Sequence, residues 1–133
     1  MRYNSVLDLH THTVASGHAY CSLREMAKAA SEKGLEVLGI TEHAPSMPGT
    51  CHKFYFNNLK VVPREMYGIQ LLLGSEVNIL DAQGTVDLNE KTLSNMDVVI
   101  ASLHTPCMKP ASRQENTESY LLSLIHISEP TRH

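Results

Sequence analysis

A series of short apolar runs, each closing on an imidazole or a carboxylate, constrains this chain more than any other feature. Ser5-Val6-Leu7-Asp8-Leu9 leads into His10 and His12, and Glu36-Val37-Leu38-Gly39-Ile40 leads into Thr41-Glu42-His43. Ile69-Gln70-Leu71-Leu72-Leu73 runs through Gly74 towards Glu76, and Asp97-Val98-Val99-Ile100-Ala101-Ser102-Leu103 runs into His104. Nearly continuous apolar runs of this length fit strands buried on both faces. Helical patterns lie between them. Ser22 reads as an N-cap, with Glu25 three residues on completing a capping box. Leu23, Met26, Ala27 and Ala30 carry the helical period, and Gly34 supplies the stop. The alternation predicts an α/β fold around a parallel sheet, where ligands gather at the carboxyl ends of strands. Those are the ends that carry the histidines and Glu76.

The other segments are less regular. Residues 44–58 hold Pro45, Pro48 and Gly49 and are expected to form a long loop. A short helical stretch is expected over 59–67, interrupted at Pro63. Residues 81–84 read as a turn, 85–88 as a returning hairpin arm, 91–96 as one or two helical turns, and the chain turns helical again from Asn116.

Eight histidines against two phenylalanines and no tryptophan are a reason to look for a metal site. In an extended backbone, side chains two apart share a side, so His10 and His12 can meet on one ion. A carboxylate such as Glu76 has two oxygens and can bridge two ions. Imidazole with carboxylate suits Zn foremost, with Mn and Fe also open. Two such ions can clamp a phosphoryl group for in-line displacement. Each residue alone has an ordinary alternative: a loop histidine for His43, a surface carboxylate for Glu76, a strand end for His104. Coincidence at four successive strand ends is what sets them apart. His52 lacks that placement and reads as a solvated loop residue. Arg64 could hold a phosphate bidentately, though most arginines are solvated. Asp8 could orient a histidine or face solvent.

The composition bounds the function class. A chain of 133 residues with 42% apolar residues suits one domain or part of one. A formal charge of −3 gives no basic footprint for nucleic acid or for a membrane surface. No apolar stretch approaches a membrane span, and Met1-Arg2-Tyr3-Asn4 is unlike a secretory leader. Cys21, Cys51 and Cys107 are odd in number and widely spaced, which fits reduced thiols and a cytoplasmic location.

The ordered motifs "DLHTHT", His18, "ITEHA", "GSEVNI" and "ASLHTP" resemble those of the PHP (polymerase and histidinol phosphatase) superfamily. The resemblance runs from Val6 to about Leu121, and "TVASGHAY" and "VVPR" are similar to its compact stand-alone bacterial phosphatase branch. It implies the N-terminal half of a distorted (β/α)7 barrel, with up to three metal ions at the strand carboxyl ends. By resemblance, His10 and His12 would hold one ion, and Glu76 would bridge it to a second that His104 also holds. His18 and His43 would hold the third. Glu76, His12 and Arg64 would be the catalytic residues, Arg64 as a phosphate contact. The implied reaction is hydrolysis of a small phosphomonoester by a metal-activated hydroxide. Glu42 departs from the family, which often has Asp there. A later histidine before proline and an Asp-x-His motif, both expected of the family, are absent. The chain is therefore expected to be a truncated domain, inactive as it stands.

Leu122 to Arg132, "LSLIHISEPTR", resembles an in-frame translation of a sequencing-library adapter. Residues 1–121 are accordingly expected to be the genuine part and 122–133 a foreign tail. The expected partner is a small phosphorylated substrate, with no nucleic acid and no membrane, and a homo-oligomer left open. Rival functions are a histidinol phosphatase, a polymerase-type exonuclease and a non-catalytic metal-binding module. The start at Met1, just before the first strand, and the acidic balance both weigh against the nuclease. The presence of every front-half ligand weighs against the non-catalytic module.

Overall fold

A computed structural model describes residues 5–108 and 111–128. Four parallel strands form the sheet: β1 (Leu7–Thr11), β2 (Val37–His43), β4 (Ile69–Asn78) and β5 (Val98–Ser102), side by side in the order β1-β2-β4-β5. A two-residue strand, β3 (Glu65–Met66), pairs antiparallel with the start of β4. Among the described residues β1 pairs only with β2, and β5 only with β4. This is the α/β architecture expected from the sequence, and it corresponds to part of a (β/α) barrel.

The central strand is the most apolar and the most buried. Leu71, Leu73 and Val77 of β4 have no exposed surface, nor does Ile40 of β2. They pack with Leu38, Ile69, Ile79 and Ala101 into one core. Helix α1 (Leu23–Glu32) closes over it with Ala27 and Ala30. Both halves of the Ser22–Glu25 capping box form, and Gly34, at φ +81°, follows the last turn as expected.

Strand β1 carries a bulge. Asp8 is level with Leu38, but Thr11 is level with Ile40, so three steps on β1 span two on β2. A bulge re-aims the side chains that follow it, and here His10 and His12 lie within or just after it. Gly39 permits this approach, since a Cβ there would sit 2.7–2.9 Å from Leu9 backbone atoms.

Three local expectations differ from the structure. The predicted loop 44–58 contains helix α2 (Lys53–Asn58), whose N-terminus is capped by the His52 ring accepting from the Phe54 amide. The predicted helix over 59–67 is a single 3-10 turn (Leu59–Val61) followed by β3. Tyr67 and Gly68 both have positive φ, 54° and 77°, which makes the tight two-residue turn that returns a hairpin into β4. Periodicity missed it because Tyr is an unusual residue at such a φ.

After β4, Ile79 and Val86 form the expected antiparallel bridge, and α3 (Glu90–Leu93) leads into β5. Helix α4 (Arg113–Ser128) starts three residues earlier than expected and passes Leu121 without a break. Ser119 and Ser123 of this helix are fully buried and Ile127 packs against the core, while Leu121 and Ile125 are exposed. Residues 129–133 of the expected foreign tail lie outside the described residues. No helix among the described residues is long and apolar enough to cross a membrane.

Candidate metal centre

Glu76 stands near the end of the central strand and is the hub of the site. Its side chain is 4% exposed, and four imidazoles surround it. The Nε2 atoms of His10 and His12 lie 3.3 and 3.4 Å from Oε2. His43 Nδ1 lies 2.9 Å from Oε2, and His104 Nε2 lies 3.4 Å from Oε1. The parallel register explains the convergence, because His43 on β2 sits level with Glu76 on β4. The β1 bulge and the end of β5 bring in the others. His12 and His43 stack with ring centroids 4.2 Å apart.

The electrostatics of this cluster ask for a cation. Glu76 Oε2 and His43 Nδ1 are buried without a hydrogen-bond partner, a state that costs free energy in a folded protein. Burial acts to raise the Glu76 pKa. The polar groups of His12, Ser102 and His10 and the charge of His43 outweigh it and hold the carboxyl well below its usual range. Burial, with His12, His104 and His18 as further opposing charges, pushes the His43 imidazole down to about 4 despite the attraction of Glu76. An ionised carboxylate is thus faced by imidazole nitrogens at 2.9–3.4 Å. Two nitrogens bound to one ion at about 2.1 Å each lie roughly 3.0–3.4 Å apart. The spacing is that of donors around an ion. His10, His12 and Glu76 form one group able to hold a metal, and His43, Glu76 and His104 a second.

The histidine tautomers point the same way. Ser16 Oγ donates to the Glu42 carboxylate and receives the His43 amide, so its contact with His12 Nδ1 at 3.1 Å needs a proton from the ring. In the neutral ring the lone pair then lies on Nε2, 3.4 Å from Glu76 Oε2. Glu42 itself is fully buried and held by the Thr13 amide, the Thr13 hydroxyl and Ser16. Among the described residues no Lys or Arg pairs with it.

His18 lies against His43, whereas Arg64 lies elsewhere. His18 is exposed; its Nε2 lies 3.1 Å from that of His43, and its ring centroid lies 6.3 Å from that of His12. His43 thus faces Glu76 through Nδ1 and His18 through Nε2, and the 3.1 Å spacing of the two Nε2 atoms fits two nitrogens around one ion. Arg64 is not brought to the site at all. It forms an ion pair with Asp97, at 2.7 Å, and donates to the carbonyls of Leu59 and Val62. Asp97 immediately precedes β5 and bonds the Leu73 amide, so the pair sits at the amino ends of the strands, away from Glu76. The hairpin turn at Tyr67-Gly68 causes this, because it doubles the Arg64 segment back onto the beginning of β4. Asp8 does not touch a histidine ring; its carboxylate accepts from the His10 amide. Asn78, Asp87 and Ser16 also belong to the site, and reasoning along the sequence did not single them out. The sequence "GSEVNI" contains Asn78 two residues after Glu76, and that spacing was the available signal.

The His43 environment sets an acid limit on the metal-free protein. The unfolded imidazole takes up its proton near 6.5 and the folded one near 4. Between those values the unfolded state binds more protons, so stability falls as pH drops from 6.5 through 4. Urea midpoints should decline across that window and decline less in His43→Asn. Equal slopes for the two proteins would contradict the assignment.

Comparison with known proteins places these observations in a family. The PHP domain matches residues 8–130. A probable phosphatase of Clostridium novyi is 56% identical over 121 residues, covering 91% of this chain and 49% of that protein. A probable phosphatase of Clostridium botulinum is 48% identical over 139 residues, covering 98% of this chain and 56% of that protein. One from Caldanaerobacter subterraneus is 46% identical over 125 residues, covering 94% and 49%. The chain thus spans about half the length of the curated relatives it matches. With its motifs in order and its imidazoles gathered on one buried carboxylate, this chain belongs to the PHP domain family.

Proposed function

We propose that this chain carries the front half of a metal-dependent phosphomonoesterase acting on a small phosphorylated metabolite, with Zn, Mn or Fe as the metal. The observation that carries the reading is the buried Glu76 carboxylate ringed by His10, His12, His43 and His104. The relatives' description as probable phosphatases supports phosphomonoester hydrolysis over the phosphodiester cleavage of a polymerase-type nuclease. Metal ions in such a site supply Lewis-acid stabilisation of phosphoryl charge and a nucleophile at neutral pH.

The residues divide the work by depth. Glu76 and His43, nearly fully buried, form the floor and offer fixed charge and lone pairs. His12 and His104, at 21% and 19% side-chain exposure, form the walls. His10 is 48% exposed and His18 is exposed, so a phosphate would approach from their side. Orientation comes from the strand ends, which hold the donors in place before any substrate arrives.

Titration with Zn2+ or Mn2+ should show binding that His12→Ala weakens. In a polypeptide that continues through the rest of the domain, His12→Ala should abolish hydrolysis of 4-nitrophenyl phosphate. The 133-residue chain should turn that substrate over far more slowly than the Clostridium novyi relative. Undiminished turnover in His12→Ala at unchanged metal content would overturn the reading.

A further inference from the structure

The amide of Asn78 holds a fixed orientation. Its Nδ2 donates to the Asp87 carboxylate at 2.6 Å and to the Ala44 carbonyl at 3.1 Å. Both partners only accept, so the nitrogen must be on that side and Oδ1 must face the other way. Oδ1 lies 2.7 Å from His104 Nδ1. An amide oxygen cannot donate, so the proton of that short bond belongs to the ring. His104 therefore carries a proton on Nδ1, so in the neutral ring the lone pair lies on Nε2, 3.4 Å from Glu76 Oε1.

Asp87 is the anchor of this arrangement. Its Oδ1 accepts from the Asn78 backbone amide at 2.9 Å, and its Oδ2 accepts from both the Asn78 side chain and the Ser46 amide. One carboxylate thus fixes the end of β4 and the loop that follows β2. Asn78 is fully buried, and no other acceptor is shown for its Nδ2 than Asp87 and Ala44.

We propose that Asp87 and Asn78 are positioning residues that act through His104. They hold the ring proton on Nδ1 and aim Nε2 at Glu76, so the neutral ring offers its Nε2 lone pair to a metal ion. The proposal rests on the metal-dependent reading above only in its last clause, since the tautomer exists without metal. Side chains that orient a metal-binding histidine typically contribute about 10–100-fold in metal affinity.

The test measures the two properties separately. Long-range 1H–15N NMR of the metal-free chain reads the His104 tautomer directly, with assignment by His104→Gln. The native protein should show Nδ1 protonated and Nε2 bare. Asp87→Asn removes one of the acceptors that fix the amide and should give a mixed His104 tautomer. Asn78→Ala should do the same more fully, with near-native circular dichroism. Calorimetric titration with Zn2+ should then show affinity about 10–100-fold weaker in both variants. A His104 tautomer unchanged in folded Asp87→Asn and Asn78→Ala would overturn the proposal, whatever the metal does. Loss of folding in both would assign the pair to stability alone and overturn it too. A shifted tautomer with no Zn2+ binding by the native chain would leave the positioning role intact and sink the metal-dependent function instead.

Discussion

Replacing Glu76 by Gln should remove metal binding while leaving the metal-free fold intact. The carboxylate is common to both donor groups, so its loss breaks each of them. Gln has nearly the same shape but a single acceptor and no charge. The affinity for Zn2+ should fall by more than about 100-fold, the upper end for losing a residue that merely orients a ligand. Stability of the metal-free chain should fall only modestly. In that state His12, Ser102, His10 and the charge of His43 favour the ionised carboxylate, while its Oε2 is buried without a hydrogen-bond partner, so removing the charge loses the first effect and relieves the second. Calorimetric titration with Zn2+ and urea unfolding of the same two preparations check both parts. Retained binding by Glu76→Gln would show that the imidazoles alone hold the ion. A large loss of metal-free stability would recast Glu76 as a structural anion.

Glu42→Ala should do the reverse and damage the fold first. Its carboxylate accepts from the Thr13 amide, the Thr13 hydroxyl and the Ser16 hydroxyl, all in a buried setting. Hydrogen bonds to a charged group are each worth about 1.5–3 kcal/mol, and donors left unsatisfied add their own cost. Relief of the buried charge offsets part of this, so a net loss of about 3 kcal/mol is expected from urea unfolding. The change should reach the site as well. Freed from Glu42, the Ser16 hydroxyl can donate to His12 Nδ1 and turn the ring's proton to Nε2. Zn2+ affinity should then drop by about 10–100-fold at temperatures where the variant is still folded. A variant as stable as the native chain would show that the Glu42 contacts contribute nothing net. Glu42→Asp keeps the charge and should recover much of the loss, since the resemblance places Asp at this position in many family members.

The sequence by itself determined which segments form the four parallel strands, where α1 starts and stops, and which end of the sheet carries the chemistry. These properties are local. An apolar run such as Leu71-Leu72-Leu73 is a buried strand because of its own composition, and Ser22 with Glu25 forms a cap across three residues. The donors His10, His12, His43, Glu76 and His104 were legible because each lies on or directly after its strand, and parallel strands share one carboxyl end.

Only the tertiary structure decided how those donors meet and what orients them. The register that sets His43 level with Glu76, and the bulge that Gly39 allows beside Leu9, depend on contacts between strands. Ser16 and Glu42, Asn78 and His104, and Ser46 and Asp87 are 26, 26 and 41 residues apart. No periodic pattern links positions so distant. Arg64 shows the converse: its side chain has the right chemistry for phosphate, yet a two-residue turn with two positive φ angles carries it to the other end of the sheet. Side-chain chemistry and strand ends are written locally, whereas partners and direction are fixed by backbone pairing between distant segments. That pairing exists only once the sheet has formed.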